Sequence, residues 1–373
     1  NILKFITAGS VDDGKSTLIG RLLYDSKSIL ADQLEVLEQQ SKNKNEDGVD
    51  LAIITDGLRA EREQGITIDV AYRYFATDKR KFIIADAPGH TQYTRNMITG
   101  ASNSQLIIIL VDARNGVTEQ TRRHSIIASL LNIPEVVVAV NKMDLVGYAE
   151  DTFENIKCEY ETVAKRLGLK SVHYFPISAF VGDNIVNTTN AMPWYKGTSL
   201  LDFLETIEIS QNSYKEPRFQ VQYVIRPQTE ALHDYRGYAG EIISGTYRKG
   251  DAIVVLPEGI STKISKIERN GEEVAEAKAG EPVVMHIEDD IDISRGDYFA
   301  SEEAEPAQSQ EIEAIVCWMD KRALKEGNKY LLHQRSRLVK VVVKEIAYKI
   351  DVNTLDQEEE VESVKLNEIA KIR

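Results

Sequence analysis

The segment from Gly9 to Thr17 combines the residue types that bind a phosphate chain. It reads Gly-Ser-Val-Asp-Asp-Gly-Lys-Ser-Thr and matches G-x-x-x-x-G-K-[ST], after a predicted strand and at the start of a predicted helix. Backbone N–H groups of such a loop surround a β-phosphate, Lys15 can reach the β- and γ-oxygens, and the Ser16 hydroxyl can ligate Mg²⁺, while the helix N-terminus adds its positive end. The sequence therefore predicts a nucleotide site at Gly9, Ser10, Val11, Asp12, Asp13, Gly14, Lys15, Ser16 and Thr17.

A second group of residues has the types expected near a γ-phosphate. Asp86 follows the predicted strand Lys81 to Ala85 and can hold Mg²⁺ through a water molecule. Gly89 can bring its backbone N–H to a γ-phosphate and so sense hydrolysis, and His90 stands where many GTPases carry a side chain that orients water. Thr67 lies where a Mg²⁺-binding threonine is expected. The predicted catalytic residues are Lys15, Thr67 and His90, and the predicted Mg²⁺ ligands are Ser16, Thr67 and, through water, Asp86.

The four residues that directly follow the predicted strand Glu135 to Val140 indicate which base the site recognises. The segment from Asn141 to Asp144 reads Asn-Lys-Met-Asp and matches N-K-x-D. The Asp144 carboxylate can accept hydrogen bonds from N1–H and from the exocyclic amino group of guanine, whereas adenine offers no such pair of donors. We expect Asn141 to brace the loop and the aliphatic stem of Lys142 to lie over the purine.

A dipeptide after the last predicted strand of this region completes the pattern. Ser178 and Ala179 are expected to supply a backbone N–H to guanine O6. This pair is informative because it follows the other elements, which lie at residues 9 to 16, 67, 86 to 90 and 141 to 144. Their order predicts that the first domain binds GTP and Mg²⁺.

The elements that must position these residues alternate along the chain up to about residue 210, as is typical of an α/β domain. Several predicted strands are apolar on both faces, which indicates a mostly parallel sheet with helices on each face. The predicted strands are Ile2 to Ala8, Ile68 to Phe75, Lys81 to Ala85, Leu106 to Val111, Glu135 to Val140 and Val172 to Pro176. The predicted helices are Lys15 to Tyr24, Thr118 to Leu131, Phe153 to Leu167 and Ser199 to Ile207. In such an open sheet, the site lies beyond the carboxyl ends of the strands.

The rest of the chain has a different pattern. After Pro217, short apolar runs are separated by glycines, which is typical of a β-barrel or sandwich. A change of composition at Ser301 to Gln310 separates a further β-rich segment. We therefore predict a P-loop GTP-binding domain over residues 1–210, a β-barrel over 215–303 and another over 306–373. The last is short for a closed barrel, and we expect it to be incomplete.

Composition narrows the classes of function. The 373 residues carry a net charge of -14, which opposes non-specific binding to nucleic acid or to anionic membranes. No apolar run approaches the ~20 residues of a membrane-spanning helix, and the start of the chain does not have the pattern of a signal peptide. With only Cys158 and Cys317, neither a disulfide framework nor a thiolate metal site is expected, so we predict a cytoplasmic protein. The histidines other than His90 are expected to be structural.

The order of these motifs resembles that of translation-factor-type GTPases, in which a nucleotide domain precedes two β-barrels and the loop Asp86-Ala-Pro-Gly-His90 occurs in this form. Within that superfamily the chain most resembles the large, GTPase subunit of bacterial sulfate adenylyltransferase. Elongation factors usually have histidines where Ser10 and Asp13 stand, which disfavours a ribosomal role. The strings that support the resemblance are Gly9 to Leu23, Glu63 to Phe75, Met192 to Tyr195, Tyr235 to Gly240 and Asp292 to Gly296.

The resemblance implies that GTP hydrolysis is coupled to AMP transfer from ATP to sulfate, giving adenylyl sulfate and pyrophosphate, in sulfate assimilation. The transfer itself would take place on a smaller catalytic subunit, with which this chain would form a heterodimer. Two alternatives remain. One is an elongation factor that delivers aminoacyl-tRNA, and the other is a GTPase switch with a different protein partner.

Overall fold

The computed structural model describes residues 2–26, 71–87, 94–209, 215–227, 235–351, 354 and 356–373. The chain divides into two compact units. One comprises Asn1–Ile209, Ile315–Ala323 and Tyr348–Lys371, and the other comprises Ser210–Ala314, Leu324–Ala347 and Ile372–Arg373. The predicted fold class is confirmed, because an α/β domain is followed by β-barrel architecture.

A six-stranded sheet forms the centre of the α/β domain, in the order β2-β3-β1-β4-β5-β6. All neighbours are parallel except β2 and β3, which are antiparallel. The strands are β1 (Ile2–Ala8), β2 (Ala71–Ala76), β3 (Lys81–Asp86), β4 (Leu106–Asp112), β5 (Glu135–Asn141) and β6 (Val172–Pro176). All six strands were predicted to within a few residues; the predicted start of β2, residues 68–70, lies outside the described residues.

Five α-helices and a 3-10 helix (Met143–Val146) occur among the described residues of this domain. The α-helices are α1 (Lys15–Asp25), α2 (Thr94–Ala101), α3 (Glu119–Leu130), α4 (Glu150–Leu167) and α5 (Leu200–Thr206). Two predicted first residues are instead N-caps, since the Thr118 and Ser199 hydroxyls accept from backbone N–H groups of α3 and α5. Helix α4 begins three residues before the predicted start at Phe153, and α2 was not predicted.

The central strands explain why the sheet is covered on both faces. Every residue of β4 and β5 is buried. Alternate residues enter different cores: Ile107 and Ile109 pack with α3 and α4 residues, whereas Ile108 and Leu110 pack with α1 and α5 residues. A strand that is buried on both sides cannot reach solvent except at its ends. The polar residues that follow β4 and β5 therefore mark the edge at which a ligand can be bound.

The second unit contains a closed barrel of six strands, in which β11 pairs with both β12 and β16. Its core includes Phe219, Tyr238, Tyr247 and Phe299, and the Tyr247 hydroxyl donates to the Phe299 carbonyl at 2.6 Å. The barrel strands are β7 (Arg218–Gln220), β9 (Gly237–Ser244), β11 (Ala252–Leu256), β12 (Ile260–Arg269), β15 (Pro282–Ile287) and β16 (Tyr298–Ser301). Shorter strands beside it are β8 (Tyr223–Ile225), β10 (Thr246–Arg248), β13 (Glu272–Val274) and β14 (Glu276–Lys278).

The remaining strands form a four-stranded sheet in the order β17-β22-β20-β21 and a separate hairpin of β18 and β19. They are β17 (Ala314–Cys317), β18 (Lys329–Gln334), β19 (Arg337–Val342), β20 (Ile346–Ile350), β21 (Gln357–Glu358) and β22 (Ile369–Ile372).

The two cysteines are both unbridged and differ in environment. Cys158 is exposed on α4, whereas Cys317 is half-buried, and burial raises the pKa of the Cys317 thiol to about 11. Within the described part of the chain, no helix is both long and apolar enough to span a membrane.

Candidate functional site

The predicted phosphate-binding loop connects β1 to α1 and has the backbone shape that such a loop requires. Gly14 has φ of 92° and Asp12 has φ of 68°, so both adopt the left-handed conformation. Gly14 cannot be replaced at no cost, because a Cβ there would lie 2.4 Å from Nδ2 of Asn141. The α-helix begins at Lys15, so the first N–H groups of α1 face the loop without partners within the helix. This is the backbone geometry expected of an anion site.

Lys15 is held inside this loop. Its ammonium donates to the carbonyls of Gly9 at 2.9 Å and Ser10 at 3.1 Å, and the residue is 8% exposed. Burial lowers the pKa of Lys15, and the nearby carboxylates of Asp86 and Asp13 partly oppose that effect. A desolvated ammonium is electrostatically suited to a polyphosphate, whose negative charge would offset the hydration that burial removed.

Ser10 and Asp13 are joined to each other. The Ser10 N–H donates to Oδ2 of Asp13 at 2.6 Å, and Asp13 is 5% exposed. Burial raises the pKa of Asp13, although the bond from Ser10 and the charge of Lys15 act in the opposite direction. The sequence indicated these two positions only as a departure from elongation factors. The structure shows that they form a bond that closes the loop on itself.

Two of the predicted Mg²⁺ ligands, Asp86 and Ser16, lie among the described residues. Asp86 is the last residue of β3 and is 2% exposed, and Ser16 is half-buried in the first turn of α1. A carboxylate and a hydroxyl are hard oxygen donors, and Mg²⁺ typically combines one or two such side chains with water and substrate phosphates. These residues therefore fit a Mg²⁺–nucleotide complex. Thr67, Gly89 and His90 lie outside the described residues.

Asn141 connects three motifs that are far apart in the sequence. It is the last residue of β5 and is 1% exposed. Its Nδ2 donates to the carbonyl of Asp13 at 2.8 Å, and its Oδ1 accepts from the Ala179 N–H at 2.9 Å. The expected bracing role of Asn141 thus has a definite form: one amide joins the phosphate loop to the loop after β6.

Lys142 and Asp112 form a charged pair behind the loop. Lys142 has φ of 62°, and its ammonium donates to the Asp12 carbonyl at 2.5 Å and to Oδ2 of Asp112 at 2.9 Å. Burial by itself would raise the pKa of Asp112, but hydrogen bonds from Arg114 and Lys142 outweigh it and hold that pKa well below its usual range. Asp112 was not predicted as a site residue. Its position as the last residue of the buried strand β4 was the available signal.

A serine holds the Asp144 carboxylate, which the sequence predicts to read the base. Ser178 Oγ donates to Oδ1 of Asp144 at 2.6 Å, which leaves Oδ2 and one lone pair of Oδ1 as acceptors for a base. The backbone N–H groups of the dipeptide donate within the protein, from Ser178 to the Asp183 carbonyl at 3.2 Å and from Ala179 to Asn141. A bond to guanine O6 requires that one of these donors be shared, and it stays a prediction.

Comparisons with known proteins agree with this geometry. Residues 1–210 match the family model of the elongation factor Tu GTP binding domain, and residues 311–373 match the GTP-eEF1A C-terminal domain-like family. The GTPase-like domain of Ski7 from S. cerevisiae has a similar fold, with a TM-score of 0.52 and 17% identity over all of this chain and 89% of that one. Because the family model matched by residues 1–210 covers more than half of the chain, the protein belongs to the elongation factor Tu GTP binding domain family.

Sequence relatives identify the family within this class. Sulfate adenylyltransferase subunit 1 of Cellvibrio japonicus is 50% identical over all of this chain and 78% of its own length. That of Chromobacterium violaceum is 51% identical over the same shares. The Mycobacterium tuberculosis bifunctional enzyme CysN/CysC is 52% identical, and this chain spans 61% of its length. The chain belongs to the sulfate adenylyltransferase subunit 1 family.

Proposed function

We propose that this chain binds GTP at the phosphate and base-reading loops and hydrolyses it to GDP and phosphate. The observation that carries the proposal is the Asn141 amide, which joins the phosphate loop to the Ala179 loop and stands three residues before Asp144. A phosphate loop alone does not distinguish the bases. Here the phosphate loop is bonded to Asn141, and the same segment carries the Asp144 carboxylate, which can only accept hydrogen bonds. This arrangement favours guanine, which presents two adjacent donors.

In this proposal, Lys15 stabilises negative charge on the β- and γ-phosphates, and Ser16, Thr67 and Asp86 hold Mg²⁺, Asp86 doing so through water. When bound, Mg²⁺ neutralises charge that develops on the γ-phosphoryl oxygens. Lys15 contributes to the same electrostatic stabilisation from a site that is largely shielded from water. On its sequence position, His90 orients the attacking water, and Gly89 responds to the presence of the γ-phosphate.

We further propose that hydrolysis is coupled to the synthesis of adenylyl sulfate. A smaller catalytic subunit would transfer AMP from ATP to sulfate and release pyrophosphate, and the present chain would supply the energy of GTP hydrolysis. The names of the relatives support this assignment, because subunit 1 implies a second subunit. A phosphate–sulfate anhydride is unfavourable to form, so coupling to a second hydrolysis has a thermodynamic purpose. The cytoplasmic location stays a prediction.

The alternative, an elongation factor that delivers aminoacyl-tRNA, has weaker support. The translation-factor family models match residues 1–210 and 311–373 separately, whereas relatives named as sulfate adenylyltransferase match the whole chain at about 50% identity.

The test is reconstitution of the chain with the small sulfate adenylyltransferase subunit of one of the named relatives. With ATP, sulfate, GTP and Mg²⁺ present, pyrophosphate and phosphate release are measured together. We expect GTP turnover to rise when the small subunit and its substrates are all present, because switch GTPases are slow until a partner orders their loops. A GTP turnover rate that does not change with the small subunit but increases with ribosomes would favour the elongation factor instead.

A further inference from the structure

The two loops that read the base are bridged by a tyrosine that no motif includes. We call residues 141–148 the first reading loop and residues 178–183 the second reading loop. Tyr148 ends the first, and its hydroxyl donates to Oδ2 of Asp183, the last residue of the second, at 2.8 Å. Its backbone N–H also donates to the carbonyl of Met143 at 2.8 Å. Tyr148 therefore fixes the curvature of its own loop and the distance to the other.

A continuous set of bonds leads from Tyr148 to the carboxylate that reads the base. Asp183 and Ser178 exchange backbone bonds, from Asp183 N–H to the Ser178 carbonyl at 3.1 Å and from Ser178 N–H to the Asp183 carbonyl at 3.2 Å. Ser178 Oγ then donates to Asp144 at 2.6 Å. A shift of Asp183 must therefore move Ser178, and a shift of Ser178 changes the orientation of the Asp144 carboxylate.

Tyr148 is itself held in an unfavourable backbone conformation. Its φ is 57°, a left-handed value that bulky residues rarely adopt. The Trp194 indole N–H donates to the Tyr148 carbonyl at 2.9 Å, and the Trp194 ring packs on Phe153 with centroids 5.4 Å apart. Trp194 belongs to the Met192 to Tyr195 string that the nucleotide site does not use.

We infer that Tyr148, held by Trp194, is a positioning residue for guanine recognition that acts through Asp183 and Ser178 on Asp144. The inference rests on the proposed reading of guanine by Asp144. Burial raises the pKa of Tyr148 to about 12, and the bond to Asp183 adds to this effect, so the hydroxyl remains protonated and donates at neutral pH.

The test compares GTP with inosine triphosphate, which keeps N1–H but lacks the 2-amino group. The GTP-to-inosine preference measures how well Asp144 is aligned with both donors, whereas a general loss of stability weakens both nucleotides equally. In Tyr148→Phe, which removes one hydroxyl, we expect the preference for GTP to fall about 5-fold or more, because a bond to a carboxylate is lost. The hydrolysis rate at saturating GTP should stay within about 2-fold, because no group at the γ-phosphate is changed.

The matched control is Tyr174→Phe. Tyr174 lines a cavity of about 530 Å³ together with Trp194, and its buried hydroxyl has no hydrogen-bond partner among the described residues. The same atom is removed in the same domain, and the nucleotide preference should not change. Trp194→Phe serves as a second variant, since it removes the indole donor and keeps an aromatic ring beside Phe153. It should lower the preference in the same direction as Tyr148→Phe.

A double variant tests whether Tyr148 acts on Asp144 through Asp183. Tyr148→Phe combined with Asp183→Ala should lower the GTP preference no further than the more affected single variant, because each change by itself removes the bond between the Tyr148 hydroxyl and the Asp183 carboxylate. Additive losses would overturn the inference, and so would an unchanged preference in Tyr148→Phe and Trp194→Phe. If wild-type protein binds GTP and inosine triphosphate equally, the proposed reading of guanine fails and this inference fails with it. If wild type prefers GTP to inosine triphosphate and both Tyr148→Phe and Trp194→Phe keep that preference, only the positioning role is refuted.

Discussion

The replacement Asn141→Ala removes an amide that joins the phosphate loop to the loop after β6. Both of its bonds are buried, to the Asp13 carbonyl at 2.8 Å and from the Ala179 N–H at 2.9 Å. Each such bond contributes about 0.5–1.5 kcal/mol, and a buried group left without a partner adds about 1–3 kcal/mol to the cost. Relaxation of the exposed side of the loop reduces this cost. We therefore expect the free energy of GTP binding to weaken by about 2–4 kcal/mol, which corresponds to about 30-fold to 1,000-fold in GTP affinity.

The assay is titration of nucleotide-free protein with GTP by calorimetry at 25 °C and neutral pH. Asn141→Asp is a second change of nearly the same shape. It keeps an acceptor for Ala179 but places an oxygen, in place of a donor, against the Asp13 carbonyl, so its affinity should be no better than that of Asn141→Ala.

Asn184→Ala is the control for a general loss of stability. Asn184 is equally buried, at 1% exposure, and its side chain donates to the Pro176 carbonyl, donates to the Met192 sulfur and accepts from the Thr189 N–H. The stability of Asn184→Ala should fall by a similar amount, while its GTP affinity stays within about 3-fold, because none of these bonds reaches the phosphate loop. A dissociation constant for Asn141→Ala within 3-fold of wild type would refute the reasoning about this amide.

Three further predictions concern the base, the hydrolysis step and the buried histidine. Asp144→Asn should weaken GTP and strengthen xanthosine triphosphate by about 10-fold to more than 100-fold, since an amide can donate to the C2 carbonyl of xanthine; competition binding decides it, and an unchanged preference would contradict the assignment. His90→Ala should leave GTP affinity nearly intact and slow single-turnover hydrolysis at least ~10-fold, whereas a joint loss of binding and stability would indicate a packing role. Burial lowers the pKa of His124 to about 3, with help from the charge of Lys15, so the unfolded chain binds the extra proton first as pH falls below 6.5. The free energy of unfolding should therefore keep its full value above pH 6.5 and fall by about 1.4 kcal/mol per pH unit below it. In urea unfolding followed by tryptophan fluorescence, His124→Gln should lose less of this free energy between pH 7.5 and 5 than wild type does. Equal pH dependence of both proteins would show that His124 is not the group responsible.

The sequence predicted the strands well because their signal is local. Buried parallel strands read as continuous apolar runs, and the predicted bounds of β1 and β6 agree with the structure. Helix α2 was missed because it contains Gly100, which is unfavourable inside a helix, whereas the still shorter α5 follows a capping Ser199 and has three buried leucines. The apolar period of α4 starts at Phe153, but the helix begins at Glu150, where acidic residues are stabilised by the helix dipole.

The site was predictable only as far as its motifs are contiguous. Lys15 and Asp144 were identified because their neighbours have fixed types and spacing. The partners of Asn141 lie 128 and 38 residues away, and the bond from Tyr148 reaches 35 residues along the chain. Such contacts arise from the register of parallel strands, which places the ends of β4, β5 and β6 side by side. No local pattern in one sequence records them.

The unequal environments of the two cysteines make the α/β unit suitable for site-specific spectroscopy without replacement of either cysteine. With its pKa raised to about 11, Cys317 is almost wholly protonated at neutral pH, and only the thiolate attacks a maleimide. Cys158 is exposed on α4, next to Lys157, which lines the same cavity as Trp194. In a Trp318→Phe background, a fluorophore attached there would be excited by energy transfer from Trp194, so its emission would follow rearrangements around that indole in real time while nucleotide is mixed in a stopped-flow cell.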